Sequence, residues 1–133
     1  MSLQIPILID NIEYVELAKK IESIFYEKHG YINLVFNIRL CVIEKSRERV
    51  FDIIDYFNKD DNVLCFFVIS DFNSILERIV CSNTNKIVLT TKSLNENQLE
   101  IPLITKIVEG VAPLYVFGVE NCVLAILKLI NML

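Results

Sequence analysis

"IPILI", Ile5 to Ile9, is followed at once by Asp10 and Asn11. Five residues without a polar side chain are too few for a helix of their own. An unbroken apolar run of this length suits a strand covered on both faces, as in a parallel sheet held between two layers of helices. Asp10 and Asn11 are favoured helix N-caps, and Glu13 stands three positions beyond Asp10, where it can complete a capping-box-like arrangement. The spacing of Leu17, Ile21, Ile24 and Phe25 predicts one face of a helix, which His29 and Gly30 would end.

The same alternation continues outward from this first unit. "YINLVFNIRLCVI" places Ile32, Leu34, Phe36, Ile38, Leu40 and Val42 on one face of a strand. Its other face carries Asn33, Asn37 and Arg39, leaving one side open to water or a partner. Val50, Phe51, Ile54 and Phe57 make the stripe of a second helix, ended by "NKDDN". "VLCFFVI" (Val63 to Ile69) is a third strand. Ser70 and Asp71 follow at a cap, then a short helix with Ile75, Leu76, Ile79 and Val80 inward. "KIVLTT" is a fourth strand and "PLYVF" (Pro113 to Phe117) a fifth. Between them lie the polar loop "KSLNENQLE" (Lys92 to Glu100) and a short helix opened by Pro102, running through Val108 and ended by Gly110. Strands alternating with helices predict a three-layer α/β/α domain spanning residues 1–133. Its core is a five-stranded, mostly parallel, doubly wound sheet of the flavodoxin-like kind.

The last segment, "VENCVLAILKLINML", is apolar nearly all round, so as a helix it must be covered on most sides. In a chain of 133 residues a second copy is the simplest cover, which predicts a homo-oligomer joined through this helix. The net charge of -4 and the absence of any single-sign tract argue against a nucleic-acid partner, whose phosphates call for clustered Lys and Arg. No apolar run approaches the ~20 residues of a membrane span, and "MSLQIPILID" has no basic segment before its apolar run, as a secretory signal would. Cys41, Cys65, Cys81 and Cys122 are far apart within apolar segments, and His29 is the sole histidine. Buried, reduced thiols in a cytoplasmic protein are expected, with no metal site and no cofactor.

Ligands of an open parallel sheet sit beyond the carboxyl ends of its strands. That rule selects Asp10, Asn11 and Glu13 after strand one, and Glu44, Lys45 and Arg47 after strand two. It also selects Ser70, Asp71, Asn73 and Ser74 after strand three, the loop from Lys92, and Gly118, Glu120 and Asn121 after strand five. Asp10, Glu13 and Asp71 are the candidates for proton transfer; the others are candidates for holding a ligand. Against each stands a plainer role: Asp10, Asp71 and Ser46 as helix caps, Lys45, Arg47 and Arg49 as a solvated first turn beside Glu44 and Glu48. His29 falls at a helix C-terminus on the opposite edge of the sheet. With Gly30, Gly110 and Gly118 the only glycines, neither a dinucleotide fingerprint nor a P-loop can be written.

Three strings resemble the aminoimidazole ribonucleotide (AIR) carboxylase family, or PurE-like domains, of purine biosynthesis. "VIEKSRERVFDII" is similar to that family's S-A-H-R segment and helix, "FNSILERIVCSNTNKIVLTT" to its H-L-P-G helix and following strand, and "GVAPLYVFGVENCVLAILKLI" to its closing strand and helix. The resemblance implies a phosphorylated, nucleotide-like ligand between subunits, with Lys45 and Arg47 on phosphate and Asn121 or Asp10 on a polar ring. Where the family has a G-S-x-S-D loop, this chain has Asp10, Asn11, Ile12, Glu13 and Tyr14. Glu44 and Lys45 replace its histidine and arginine, and Ile75 stands at its catalytic histidine. The string "GVEN" (Gly118 to Asn121) also resembles the N-I-D-N of the pincer-cofactor pathway carboxylases. Without the histidines, the expected alternatives to a carboxylase are a non-catalytic regulatory or structural subunit and a flavodoxin-like small-ligand sensor.

Overall fold

The computed structural model describes residues 2–30, 33–72, 74–92 and 111–132. The expected helix from Pro102 to Val108, most of the loop from Lys92 to Glu100, and Asn73 lie outside them. The described elements alternate from the start. They are β1 (Leu3–Ile9), a single 3-10 turn (Ile12–Tyr14), α1 (Val15–His29), β2 (Leu34–Leu40), α2 (Arg47–Asn58), β3 (Phe66–Ile69), α3 (Ile75–Ser82), β4 (Val88–Thr91), β5 (Leu114–Tyr115) and α4 (Val119–Asn131).

The strands form one sheet in the order β2-β1-β3-β4-β5, and every pairing is parallel. The chain moves outward from β1 to β2, then back past β1 to β3, so the winding reverses between β1 and β3. This is the doubly wound, flavodoxin-like order that the alternation predicted.

Two apolar layers explain why β3, and β1 from Ile5 onward, are apolar at every position. Ile5, Ile7 and Ile9 of β1 and Phe67 and Ile69 of β3 pack with Ala18, Ile21 and Phe25 of α1 and Cys122, Val123 and Ile126 of α4. On the opposite face Leu8, Phe66 and Val68 pack with Val50, Ile54 and Phe57 of α2 and Leu76, Val80 and Cys81 of α3. Each fully buried aliphatic or aromatic side chain contributes roughly 1.5–3 kcal/mol of transfer free energy. Gly30 ends α1 as expected, with φ of 68°, its N–H donating to the Tyr26 carbonyl. An L-residue there would be strained.

Some side chains depart from the predicted stripes. Ile75 is 54% exposed and Phe51 36%; both sit where the helical face turns from sheet to solvent, and Ile75 is the first residue of α3. The strands also shorten: β3 begins at Phe66, and Val63 makes only an isolated bridge to Gln4. On α4 only Cys122, Val123 and Ile126 are buried, while Leu124 and, just past the helix end, Met132 face outward. The four cysteines are free and buried. Among the described residues no helix is long and apolar enough to cross a membrane.

Candidate functional site

The register that pairs Ile9 with Ile69 puts Asp10 level with Ser70, so Asp10 and Asp71 both emerge just beyond the ends of β1 and β3, near enough for the Asp71 charge to act on Asp10. The sequence offered a cap as the plain role for both, and the structure gives those roles to others. Asn11, not Asp10, caps the turn after β1: its Oδ1 accepts the Glu13 N–H at 2.9 Å. The 3-10 turn moves the start of α1 to Val15, so the expected capping box between Asp10 and Glu13 is not formed. At α3 the cap is Ser74, whose Oγ accepts the Glu77 N–H at 3.1 Å. Among the described residues Asp71 supplies only its backbone carbonyl, to the Ser74 N–H and the Ser70 hydroxyl, both at 3.2 Å.

Both aspartate carboxyls are thereby left to the crevice. Asp10 is half-buried, and its pKa is raised above the ordinary carboxylate value, first by burial and then by the charges of Asp71 and Glu44; a hydrogen bond from its own backbone opposes the shift. Tyr14, at the end of the 3-10 turn, faces the same group of charges. Burial raises its hydroxyl pKa, with Asp71, Asp10 and Glu13 adding to the effect. The crevice therefore holds two groups that favour keeping a proton, Asp10 and Tyr14, beside exposed carboxylates. A protonated Asp10 could donate a hydrogen bond or a proton.

The remaining candidates divide into structural and rim residues. Ser70 is fully buried and shares a 2.7 Å hydrogen bond with the Ser74 hydroxyl, so this pair fixes the β3–α3 turn. Glu44 and Lys45 are exposed on the β2–α2 connection, which is pinned by the Lys45 and Ser46 N–H groups on the Val42 carbonyl; Arg47, also exposed, opens α2, which Ser46 caps. Ser46 thus takes the capping role expected of it. Gly118, with φ of 84°, precedes α4; the Asn121 amide donates to the Phe117 carbonyl at 2.8 Å and is spent on its own helix start.

Aromatic side chains close the β5 side of the crevice. Phe72 lies 4.5 Å from the Tyr115 ring and 5.3 Å from that of Phe117, and the Lys92 ammonium sits 5.3 Å over Phe72. Sequence reasoning reached Lys92 only as the start of a loop and passed over Phe72 and Tyr14. The signal for Tyr14 was its place just after the strand end, where the 3-10 turn that follows Asn11 keeps it beside Asp10. Among the described residues no group of three or more His, Cys, Asp or Glu could hold a metal ion.

No family model matches the sequence, and no curated protein does. Solved structures do match. PurE from Treponema denticola superposes with a TM-score of 0.75 over 97% of this chain and 80% of its own, at 17% identity. A serine-to-aspartate variant of PurE2 from the same organism gives 0.76 over 99% and 82%, also at 17% identity. The fold is PurE-like. At this identity the likeness is one of fold, and it agrees with the order of elements that pointed to AIR carboxylases in the sequence. Ile75, aligned by resemblance with that family's catalytic histidine, is an exposed side chain unable to transfer a proton.

Proposed function

We propose that this chain is a divergent AIR-carboxylase-like domain that binds a phosphorylated, nucleotide-like ligand beyond the carboxyl ends of β1 and β3. The observation that carries this reading is Asp10, free of any capping duty and biased toward its protonated form by burial, Asp71 and Glu44. Such a group reads the N–H and ring-nitrogen edge of a polar heterocycle, donating when protonated and accepting when ionised. Asp71 and Tyr14 flank it. The carboxylates would repel a phosphate at the centre, so phosphate belongs at the rim, on Lys45 and Arg47, with Lys92 a further cation. The imidazole chemistry of the AIR carboxylases has no bearer at Ile75, so any turnover rests on proton transfer by Asp10.

A second reading is a non-catalytic subunit of a cytoplasmic homo-oligomer. Ile75 favours it, as do Leu124 on α4 and Met132 just past its end, 48% and 77% exposed, apolar side chains that a second copy would cover. The small-ligand sensor reading rests on the same aspartates.

The test is thermal unfolding against aminoimidazole ribonucleotides, purine nucleotides and inorganic phosphate. At a ligand concentration ~100-fold above Kd the native state gains about 2.7 kcal/mol. For a chain of this length that raises Tm by about 10 °C. The expected result is a shift specific to aminoimidazole ribonucleotides and lost in Lys45→Ala/Arg47→Ala. Equal shifts with plain phosphate, or none at all, would overturn the reading and favour the non-catalytic subunit.

A further inference from the structure

The edge of the sheet at β2 carries a second, separate feature. Among the described residues β2 is the terminal strand, paired only with β1. Leu3 N–H donates to the Asn33 carbonyl and Cys41 N–H to the Ile9 carbonyl, so odd-numbered β2 residues face β1. In a parallel ladder the N–H and C=O of one residue point the same way. The backbone groups of Phe36, Ile38 and Leu40 therefore point off the sheet, and among the described residues only the Leu34 carbonyl is covered, by the Tyr26 hydroxyl at 2.7 Å.

Edges of this kind are usually blunted by proline, lysine or a bulge. β2 has no proline, lysine or bulge; Arg39 is its one charge, and its Val35 and Leu40 are 42% and 43% exposed. Beside it, Ile38, Leu40 and Ile53 with Tyr56 and Phe57 line a groove of about 500 Å³ between the strand and α2. Arg39 and Arg49 stand on its walls against one carboxylate, Asp52, in a chain whose net charge is -4. The Arg39 guanidinium lies 5.9 Å from the Phe57 ring centre. Among the described residues neither arginine makes an ion pair.

We propose that this edge is a docking site for an extended acidic segment of a partner protein, added as a further strand beside β2. Backbone groups of Phe36, Ile38 and Leu40 supply the ladder, as in other strand-addition complexes. Carboxylates at alternate positions of the segment meet Arg39 and Arg49, and its apolar residues cover Leu40 and Tyr56. Charge chooses the occupant: a second copy of β2 would bring its own Arg39 and Arg49 to the same edge, whereas an acidic strand neutralises them.

The test is selection of the intact protein against a displayed library of random decapeptides. The tightest peptide is then synthesised and its binding measured by fluorescence anisotropy and amide hydrogen exchange. The expected result is enrichment of Asp or Glu at alternate positions, slowed exchange at Ile38 and Leu40 on binding, and at least tenfold weaker binding to Arg39→Glu/Arg49→Glu. Arg39→Gln, a milder surface change, should weaken binding in the same direction and keeps the test open if the double variant does not fold. Neutral or basic peptides, unchanged affinity in the variants, or binding without protection at β2 would overturn the proposal. So would displacement of the peptide by inorganic phosphate at equal concentration, which would mark a small-anion site, or dimerisation of the protein through this edge in sedimentation. None of these outcomes depends on Asp10, Lys45 or Arg47, so failure here leaves the crevice reading standing, and the reverse.

Discussion

Phe66 and Phe67 are adjacent in β3, both fully buried, and they point into opposite layers: Phe67 toward α1 and α4, Phe66 toward α2 and α3. Truncating either to alanine removes a complete aromatic side chain from a packed layer, which costs about 3–5 kcal/mol. For 133 residues the unfolding entropy near Tm is about 0.28 kcal/mol/K, so each variant should melt about 11–18 °C below the wild type. Urea denaturation followed by far-UV circular dichroism, with Tm from thermal melts, measures both. The essential expectation is parity. A sheet covered on one face would make one substitution costly and its neighbour nearly neutral, so a loss below about 1 kcal/mol at either position would refute the three-layer packing.

Asp10→Asn should stabilise the protein at neutral pH. The native carboxyl holds its proton more tightly than the unfolded one, so its favourable contribution is complete below about pH 3.9 and is lost as pH rises through the native value. The advantage of the variant should therefore grow from acid to neutral pH in urea titrations, and a constant or shrinking difference would count against the crevice electrostatics. Asn11→Ala should cost about 1 kcal/mol through the lost cap, whereas Asp10→Ala should show no capping loss; the reverse order in denaturation would restore the capping box. Burial pushes the thiols of Cys65 and Cys81 up to about 12 and those of Cys41 and Cys122 up to about 11. At pH 8 the native protein should react with an aromatic disulfide reagent at least ~100-fold more slowly than an exposed thiol, and release four equivalents only in guanidinium.

Strand and helix identity were legible because apolar runs such as "IPILI" and "VLCFFVI" have no other use than burial on both faces. Periodicity was less exact at the borders of the helical stripes, where Phe51 and Ile75 turn outward, since a one-residue rotation exchanges half-covered for half-exposed. The cap after β1 was misassigned for a related reason. Asp10 and Asn11 are equally good caps in sequence, and only the 3-10 turn decides that Asn11 takes the N–H. The strand-end rule found Asp10 and Asp71 separately. Their pairing depends on Ile9 meeting Ile69 across the sheet, a contact between segments distant in sequence that no local pattern encodes.

The reversal of winding between β1 and β3 also bears on how the chain reaches its native state. Parallel neighbours cannot close through a tight hairpin, so β1–α1–β2 and β3–α3–β4 are the two units that can form from nearby sequence. The β1–β3 seam must wait for a much longer loop to close, the kind of step that sets slow rates in sheet proteins. Asp10 belongs to one unit and Asp71 to the other, so the crevice comes into being only when the two halves meet. Like charges converge at that moment, so replacing Asp10 by Asn should speed the joining rather than hinder it.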